Sequence, residues 1–314
     1  MTMKLLIDGD IIAYKAASAC DGRQYVIRYL NKGNIITQYE SYKKDADAIV
    51  KSLENEGYSP TCELEYEPEP FENVKTIIDS SMDEIVRACK DHYGEPIGLV
   101  KVYLSSGGSF REKEYPAYKG NRENIRRPQH LEAAKLFLMD NWDAHCVPGE
   151  YEADDLMAMN QGPDTVICTI DKDLLQVPGN HYNFAKKKFL IISKEEGDRN
   201  LYKQMLTGDT ADGIPGIKGI GPKTAEKIIG DMKSPRLMYI AVLQAYYRKT
   251  PREDGETEED FQTRVVNLVR AHARLLYLLR RPEDSWEAPT EYQGDDKLRQ
   301  AVDNPKVKEE IVYG

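Results

Sequence analysis

The stretch KLLID at residues 4–8 decides the fold class, because a short apolar run that ends on an acidic residue is typical of a buried parallel strand. Two more runs have this character: LVKVYL at residues 99–104 and TVICTI at residues 165–170, which Asp171 follows. Apolar residues at helical spacing lie between the first two runs, over residues 74–89. Strands that alternate with helices predict an α/β fold with a parallel-sheet core.

Composition excludes several classes of protein. The chain has 314 residues, of which 40% are hydrophobic, so it can bury a sizeable core and is not disordered as a whole. No apolar run approaches the ~20 residues of a membrane span, and Asp8 and Asp10 interrupt the N-terminal run where a signal peptide would be apolar. The five dispersed cysteines predict a reducing compartment and argue against a disulfide scaffold. The net charge of −10 argues against coating nucleic acid through bulk charge.

The pattern predicts two regions, an α/β domain over residues 1–200 and a helical region over residues 201–314. The α/β domain contains an irregular insertion at about residues 21–72, which is either a solvated decoration or a contact for a partner. Within this insertion the sequence predicts a hairpin over 25–39, a helix over 44–56 and an acidic edge strand over 62–66. The helical region shows helical spacing over 201–207, 222–232, 236–248 and 261–280.

Acidic residues follow the predicted strands or begin predicted helices. They are Asp8, Glu152, Asp154, Asp155, Asp171, Asp173, Asp209 and Asp212. Ligands of an open parallel sheet bind beyond the carboxyl ends of its strands, so these acids are expected to meet there. Carboxylates without histidine or cysteine favour Mg²⁺ or Mn²⁺, and two such ions ~4 Å apart can activate water and clamp a phosphate. Each acid alone is more typical of a helix cap or a turn, and it is their joint placement that favours a metal site.

The segment GDTADGIPGIKGIGPKTAEKII at residues 208–229 has the pattern of a helix–hairpin–helix. Glycines allow sharp turns close to a ligand, Pro222 begins a helix, and Lys223 is placed to pair with phosphate. Such a hairpin grips a nucleic-acid backbone without reading bases, whereas the alternative is an ordinary glycine-rich turn. The residues predicted to make this contact are Gly216, Ile217, Gly219, Gly221, Lys223 and Thr224.

A second basic segment, REKEYPAYKGNRENIRR at residues 111–127, interleaves basic residues with tyrosines. Tyr118, Arg126 and Arg127 are predicted to contact DNA, since aromatic stacking combined with phosphate contacts suits single strands. A solvated loop of mixed charge is the alternative interpretation.

Five motifs occur in an order that resembles the flap endonuclease and 5′–3′ exonuclease family, and most closely its bacteriophage branch. They are IDGD at 7–10, YKGNR at 118–122, EADD at 152–155, DKD at 171–173 and GDTADGIPGIKGIGPKTA at 208–225. The resemblance covers residues 4 to about 232, without the insertion. It implies a PIN-like (resolvase-like) core with a helical arch, and a helix–three-turn–helix motif at about residues 201–232.

The resemblance also implies an activity: metal-dependent hydrolysis of DNA at 5′ ends and 5′ flaps, and of RNA in RNA–DNA hybrids in some members. The eight acids resemble the family's ligands for two Mg²⁺ or Mn²⁺ ions, and Lys119 and Arg122 resemble the basic residues at the scissile phosphate. Tyr14 resembles an aromatic residue that contacts terminal bases, and the hairpin resembles one that holds K⁺. A phage enzyme would act in replication, recombination or host DNA breakdown, in the host cytoplasm, where replication proteins are potential partners.

One departure keeps two alternatives open. The family carries an aspartate at the end of the second strand, where this chain has Ser105 and Ser106. A non-catalytic, structure-specific DNA-binding relative is one alternative. The other is a haloacid-dehalogenase-like phosphatase with Asp8 as nucleophile and Asp10 as acid/base, which requires a strand immediately before Gly208, where LYKQMLT instead predicts helix.

Overall fold

The computed structural model describes residues 2–289, and helices and strands alternate along them as the α/β prediction requires. The strands are β1 Met3–Asp8, β2 Arg23–Asn31, β3 Asn34–Glu40, β4 Thr61–Tyr66, β5 Ile97–Leu104, β6 His145–Cys146, β7 Thr165–Cys168, β8 Gly179–Asn183, β9 Lys188–Ile192, β10 Gly208–Asp209 and β11 Ile214–Pro215. The helices are α1 Gly9–Ala19, α2 Lys43–Asn55, α3 Phe71–Tyr93, α4 Phe110–Glu114, α5 Leu131–Trp142, α6 Ala153–Asn160, α7 Lys194–Thr207, α8 Pro222–Ile229, α9 Pro235–Lys249 and α10 Glu258–Leu276.

One of the two compact units contains a six-stranded sheet with the order β6-β5-β1-β7-β8-β9. The central strand β1 pairs in parallel with β5 and β7, and only β9 runs antiparallel to its neighbour. The three apolar runs are therefore the parallel strands that the sequence predicts. Strand β7 ends at Cys168, two residues before the predicted end at Ile170, and the next residue, Thr169, donates its hydroxyl to the Asp8 carboxylate.

The core of this sheet consists of strand side chains with almost no solvent exposure. Leu5 and Ile7 on β1 are fully buried, as is Ile167 on β7, in keeping with a parallel sheet in a protein interior. Helix α6 packs against β1 and β5 and places Met157 in a cluster with Ile167. The packing of α6 brings its N-terminus to the carboxyl ends of the central strands.

The other unit contains residues 9–84 and 126–143. It has a three-stranded antiparallel sheet with the order β3-β2-β4, which α2 covers through a cluster of Tyr25, Ile27, Ala46 and Leu53. The hairpin, helix and edge strand predicted for the insertion are thus confirmed. Within the same unit α1 packs against α5.

Helices α7 to α10 share a second apolar core in the first unit, built around residues such as Met205, Ile229, Val242 and Phe261. The helix predicted to reach residue 280 ends at Leu276, and the Leu275 and Tyr277 carbonyls beside its end accept hydrogen bonds from the buried Arg111. The predicted boundary at residue 200 falls inside α7 and stays a prediction, and residues 290–314 lie outside the described part. None of the helices between residues 2 and 289 is both long and apolar enough to cross a membrane.

The glycine-rich segment connects α7 to α8 through a short antiparallel pair, β10 with β11. Gly208 has φ +66°, which ends α7, and Gly221 caps the start of α8 before Pro222. Gly216 packs so closely that a Cβ there would lie 2.1 Å from the carbonyl carbon and oxygen of Thr207. Two helices with a tight connection are the layout that the sequence predicts here.

Replacing Gly216 with alanine is expected to lower the free energy of unfolding by at least about 2 kcal/mol, because the added methyl group meets rigid backbone. Gly221→Ala is the matched control, since no atom lies within 4 Å of a Cβ there, and it should cost less than about 1 kcal/mol. Urea unfolding of both variants checks this expectation. Equal stability of the two variants would show that the close approach at Gly216 is absent in solution.

Candidate metal centre

A cavity in the unit with the six-stranded sheet is lined by carboxylates that lie far apart in the sequence. Its lining includes Glu152, Asp154, Asp173, Asp209 and Asp212. Glu152 caps the N-terminus of α6, Asp173 follows β7, and Asp209 ends β10. The fold therefore brings together acids that the sequence could place only at separate strand ends and helix starts.

Asp8 and Asp171 belong to the same group, and Thr169 connects them. Asp8 ends β1 and is 3% exposed, and its Oδ2 accepts a hydrogen bond of 2.9 Å from the Thr169 hydroxyl. The Thr169 oxygen in turn accepts a hydrogen bond from the backbone N–H of Asp171, at 3.0 Å. Sequence reasoning missed Thr169, since a threonine within an apolar run carries no signal beyond strand propensity.

Three of the acids, Asp154, Asp173 and Asp212, hold protons more tightly than an ordinary aspartate, and burial is the main cause of the raised pKa in each. Burial raises the pKa of Asp154 well above its usual value, and the negative charges of Asp8, Asp171 and Glu152 raise it further. Burial and Asp171 likewise raise the pKa of Asp173 to about 8, assisted by a hydrogen bond with Asp209. Burial also acts to raise the pKa of Asp209, but the bond from Asp173 and backbone N–H groups outweigh it, so the pKa of Asp209 is lowered.

Basic and hydroxyl groups close one side of this cavity. Lys119 Nζ donates to Glu152 Oε1 at 2.5 Å, and Arg122 pairs with Asp212. The Tyr118 hydroxyl lies 3.0 Å from both Glu152 Oε2 and Asp212 Oδ2. Lys119 itself has φ +56°, and its N–H donates to the Asp212 carbonyl at 2.8 Å. Lys119 and Arg122 thus lie beside the carboxylates, and their contact with a phosphate stays a prediction.

Two predicted DNA contacts need correction. The Tyr118 side chain is 5% exposed and packs in the helical core, so its ring has no face free for a base, and its hydroxyl bridges two carboxylates instead. The Ile217 side chain is 7% exposed in the same core, and its N–H donates to the Leu206 carbonyl at 2.9 Å. Both side chains pack in the helical core. The presence of an apolar or aromatic residue in a predicted DNA-binding segment does not reveal such a role.

The remaining predicted DNA contacts are more exposed. Lys223 and Thr224 are exposed in the first turn of α8, but Gly216 is close-packed against Thr207. Gly219 and Gly221 have open space where a Cβ would be.

In the other unit, Tyr14 is 48% exposed on α1, and Arg126 pairs with Asp21 and lies over the Tyr66 ring. Arg127, which belongs to the same unit, is exposed as well. The basic segment 111–127 holds most of α4 and one 3₁₀ turn at Gly120–Arg122, so a threaded arch stays a prediction.

Ser105 lies at the end of β5, where the family motif predicts an aspartate. Its hydroxyl oxygen accepts a hydrogen bond of 3.0 Å from the Ala153 N–H, in the first turn of α6. Ser106 donates to the Val147 carbonyl at 2.8 Å. Ser105 thus supports the helix that carries Glu152 and Asp154, without adding a charge to the cavity.

The donor set fits a hard divalent cation in its chemistry. The lining acids are carboxylates, and burial together with neighbouring acids raises the pKa values of Asp154, Asp173 and Asp212. Bound positive charge would relieve that repulsion. Among residues 2–289, no three carboxylate, imidazole or thiolate side chains converge as the ligands of one ion. Some carboxylates would therefore have to change rotamer to complete a coordination shell.

The structure argues against the phosphatase alternative. Helix α7 occupies residues up to Thr207, so no strand leads into Gly208, as that class requires. Asp10, the acid/base of that alternative, forms an ion pair of 2.8 Å with Lys135 within its own unit.

Comparisons with known proteins add independent information, although no protein-family model matches the chain. A flap endonuclease Xni of Shewanella amazonensis is 30% identical over 181 residues, which are 52% of this chain and 71% of that protein. A DNA polymerase I of Rhizobium leguminosarum is 34% identical over 158 residues, which are 43% of this chain and 15% of the polymerase. The chain thus spans a small part of that relative. A solved structure of T5 5′-exonuclease with bound zinc is 18% identical, with TM-score 0.47, over 78% of this chain and 91% of that one.

The raised pKa of Asp173 predicts how stability depends on pH without metal. The pKa of Asp173 is about 8 in the folded protein and ~3.9 in the unfolded chain. Between these pH values the folded state binds more protons, so the free energy of unfolding falls as pH rises. In EDTA, the free energy of unfolding should fall by about 1–3 kcal/mol more in the wild type than in Asp173→Asn between pH 5 and pH 8.5. Urea titrations at the two pH values measure this change in the free energy of unfolding. Asp91→Asn, which replaces an exposed aspartate, is the control. The same pH slope in wild type and Asp173→Asn would contradict the pKa shift.

Removing the Ser105 hydroxyl is expected to weaken the start of α6. Ser105→Ala leaves the Ala153 N–H without this acceptor and should cost about 1 kcal/mol of stability, whereas Ser105→Thr keeps the hydroxyl and should cost less. Thermal or urea unfolding of the two variants decides the point. Equal losses in both would assign the effect to packing and not to the hydrogen bond.

Proposed function

The chain belongs to the flap endonuclease and 5′–3′ exonuclease family, and from that premise we propose that it hydrolyses phosphodiester bonds at 5′ ends and 5′ flaps of DNA. The observation that carries the proposal is the cavity that unites the motif acids with Lys119 and Arg122 beside them. A purely DNA-binding protein has no need of buried carboxylates whose mutual repulsion raises their pKa values.

The proposed ligands of two divalent cations, Mg²⁺ or Mn²⁺, are Asp8, Glu152, Asp154, Asp171, Asp173, Asp209 and Asp212. When bound, such cations would polarise the phosphate and make water more acidic. The Tyr118 hydroxyl lies 3.0 Å from a carboxylate oxygen of both Glu152 and Asp212, so it restrains the spacing of these two proposed ligands. The Asp154 and Asp173 carboxyls keep protons until positive charge displaces them.

Lys119 and Arg122 are the proposed catalytic cations. Each pairs with a carboxylate in this structure, at Glu152 and Asp212, and is partly exposed. A phosphate that enters the cavity brings the negative charge that these side chains need to leave their partners. They would then stabilise the additional charge that develops on the phosphate oxygens in the transition state.

The connection between α7 and α8 is the proposed grip on the DNA duplex. Lys223 and Thr224 are exposed at the start of α8, where helix N–H groups without intrahelical partners favour an anion. Gly219 and Gly221 leave room for a phosphate to approach the backbone.

The family resemblance adds three further consequences to this proposal. They are K⁺ at the hairpin, contacts of Tyr14, Arg126 and Arg127 with DNA, and action on RNA–DNA hybrids. A role in phage replication or recombination in a bacterial cytoplasm, together with replication proteins, belongs to this proposal as well.

A cleavage assay tests the proposal: 5′-labelled duplex and 5′-flap DNA are incubated with Mg²⁺, with Mn²⁺ or with EDTA. Either metal should release mononucleotides or short 5′ fragments, and EDTA should abolish their release. Lys119→Ala should slow single-turnover cleavage about 10²-fold, because a preorganised cation at the phosphate is lost. Asp171→Asn/Asp173→Asn should abolish detectable cleavage.

Lys186→Ala, at an exposed lysine in the turn between β8 and β9, is the matched control and should cleave like the wild type. Tight binding to flap DNA without cleavage in either metal would overturn the catalytic proposal and support a DNA-binding relative. Cleavage that persists in EDTA would overturn the assignment of metal ligands.

A further inference from the structure

Arg111 on α4 is one of the most deeply buried charged side chains between residues 2 and 289, with 1% of its surface exposed. Its guanidinium forms a bidentate pair with Asp155, with distances of 2.7 Å to Oδ2 and 2.9 Å to Oδ1. Burial acts to lower the pKa of Arg111, but Asp155 outweighs it and raises the pKa further, so the charge is retained. The family motifs had given no role to Arg111 and had placed Asp155 among the metal ligands.

The same guanidinium holds residues 275–280, here called the strap, which continue the chain from the last turn of α10. Arg111 Nε donates to the Leu275 carbonyl at 2.8 Å, and Nη2 donates to the Tyr277 carbonyl at 2.8 Å. Gln176 adds two bonds, to the Leu276 carbonyl at 2.9 Å and from the Leu278 N–H at 3.0 Å. The strap thereby becomes part of the cavity wall.

Asp155 has little capacity left for a metal ion. It is fully buried, and both oxygens also accept backbone hydrogen bonds, Oδ2 from Glu152 N–H at 3.0 Å and Oδ1 from Leu279 N–H at 3.1 Å. A buried ion pair is stable when further hydrogen bonds satisfy its polar groups, and here Arg111 also donates to two carbonyls while both Asp155 oxygens accept backbone bonds. A ligand role would require breaking the pair and leaving the Arg111 charge buried alone.

Glu152 is the group that this arrangement positions. The bond from its N–H to Asp155 completes a capping box at the start of α6, and Arg111 Nη1 lies 3.6 Å from Glu152 Oε2. We propose that Arg111 and Asp155 are a positioning pair, which fixes Glu152 and the strap at the cavity, and that Asp155 does not bind metal. This inference rests on the proposed nuclease function for its activity readout.

The test compares Arg111→Gln, Asp155→Asn and the double variant in single-turnover cleavage of 5′-flap DNA across a range of Mg²⁺ concentrations. A positioning pair predicts that each single variant loses about 10- to 100-fold in rate at saturating Mg²⁺, and that the double variant loses no more than either single one. Hydrogen exchange should also accelerate in the strap in all three variants. Arg264→Gln, which removes a surface ion pair with Glu256, is the matched control and should change neither readout.

A ligand role for Asp155 predicts the opposite sign at Arg111. Arg111→Gln would then free Asp155 and remove a competing cation, so the half-saturating Mg²⁺ concentration would fall while Asp155→Asn raised it about tenfold or more. That pair of results would overturn the inference.

A further variant, Arg111→Met/Asp155→Leu, is used if a single variant does not fold, because it removes both buried charges together. The expected result is fast hydrogen exchange in the strap together with slow cleavage. A rate equal to the wild type in that variant would also overturn the inference.

Failure of the proposed function is distinguishable from failure of this inference. If the wild type does not cleave DNA, the nuclease proposal fails, whereas exchange of the strap and Mg²⁺ binding by calorimetry still test the pair. Unchanged strap exchange in Arg111→Gln, or Mg²⁺ affinity reduced by Asp155→Asn and not by Arg111→Gln, would overturn the inference in that case.

Discussion

Repulsion among carboxylates at the ends of β1 and β7 and at the start of α6 is the constraint that the surrounding structure has to satisfy. Burial and neighbouring charges raise the pKa values of Asp154 and Asp173, so the metal-free protein holds these acids partly by keeping them protonated. Hydrogen bonds restrain the rest of the cluster, such as the bond from Thr169 to Asp8. A divalent cation would replace protons as the counter-charge, which couples stability, pH and activity in one site.

The cations around the cluster divide by exposure. Arg111 is buried and is bound to Asp155 and to main-chain carbonyls, so its charge stabilises the structure around the cavity. Lys119 and Arg122 are partly exposed, and each is bound to a single carboxylate, so a phosphate can compete for them. The basic segment at residues 111–127 thus supplies one buried cation, bound to Asp155 and the main chain, and two partly exposed cations beside the carboxylates.

The sequence predicts the parallel strands well, since each apolar run is long enough for one buried strand and a helix separates the runs. It also predicts most acids of the cavity, because strand ends fix where a side chain leaves the sheet. The roles of Tyr118, Ile217 and Asp155 could not be predicted, since they depend on contacts with residues distant in the chain. The sequence of a basic loop does not show whether an aromatic ring within it faces solvent or packs in the core.

Anomalous diffraction from crystals soaked in Mn²⁺ tests the central claim, that this carboxylate cluster is built to take divalent cations, most directly. We expect anomalous peaks in the cavity with an intact pair between Arg111 and Asp155, and with ligands drawn from Asp8, Glu152, Asp154, Asp171, Asp173, Asp209 and Asp212. A cavity without manganese at millimolar concentrations, or a peak coordinated by Asp155 with Arg111 displaced, would contradict it.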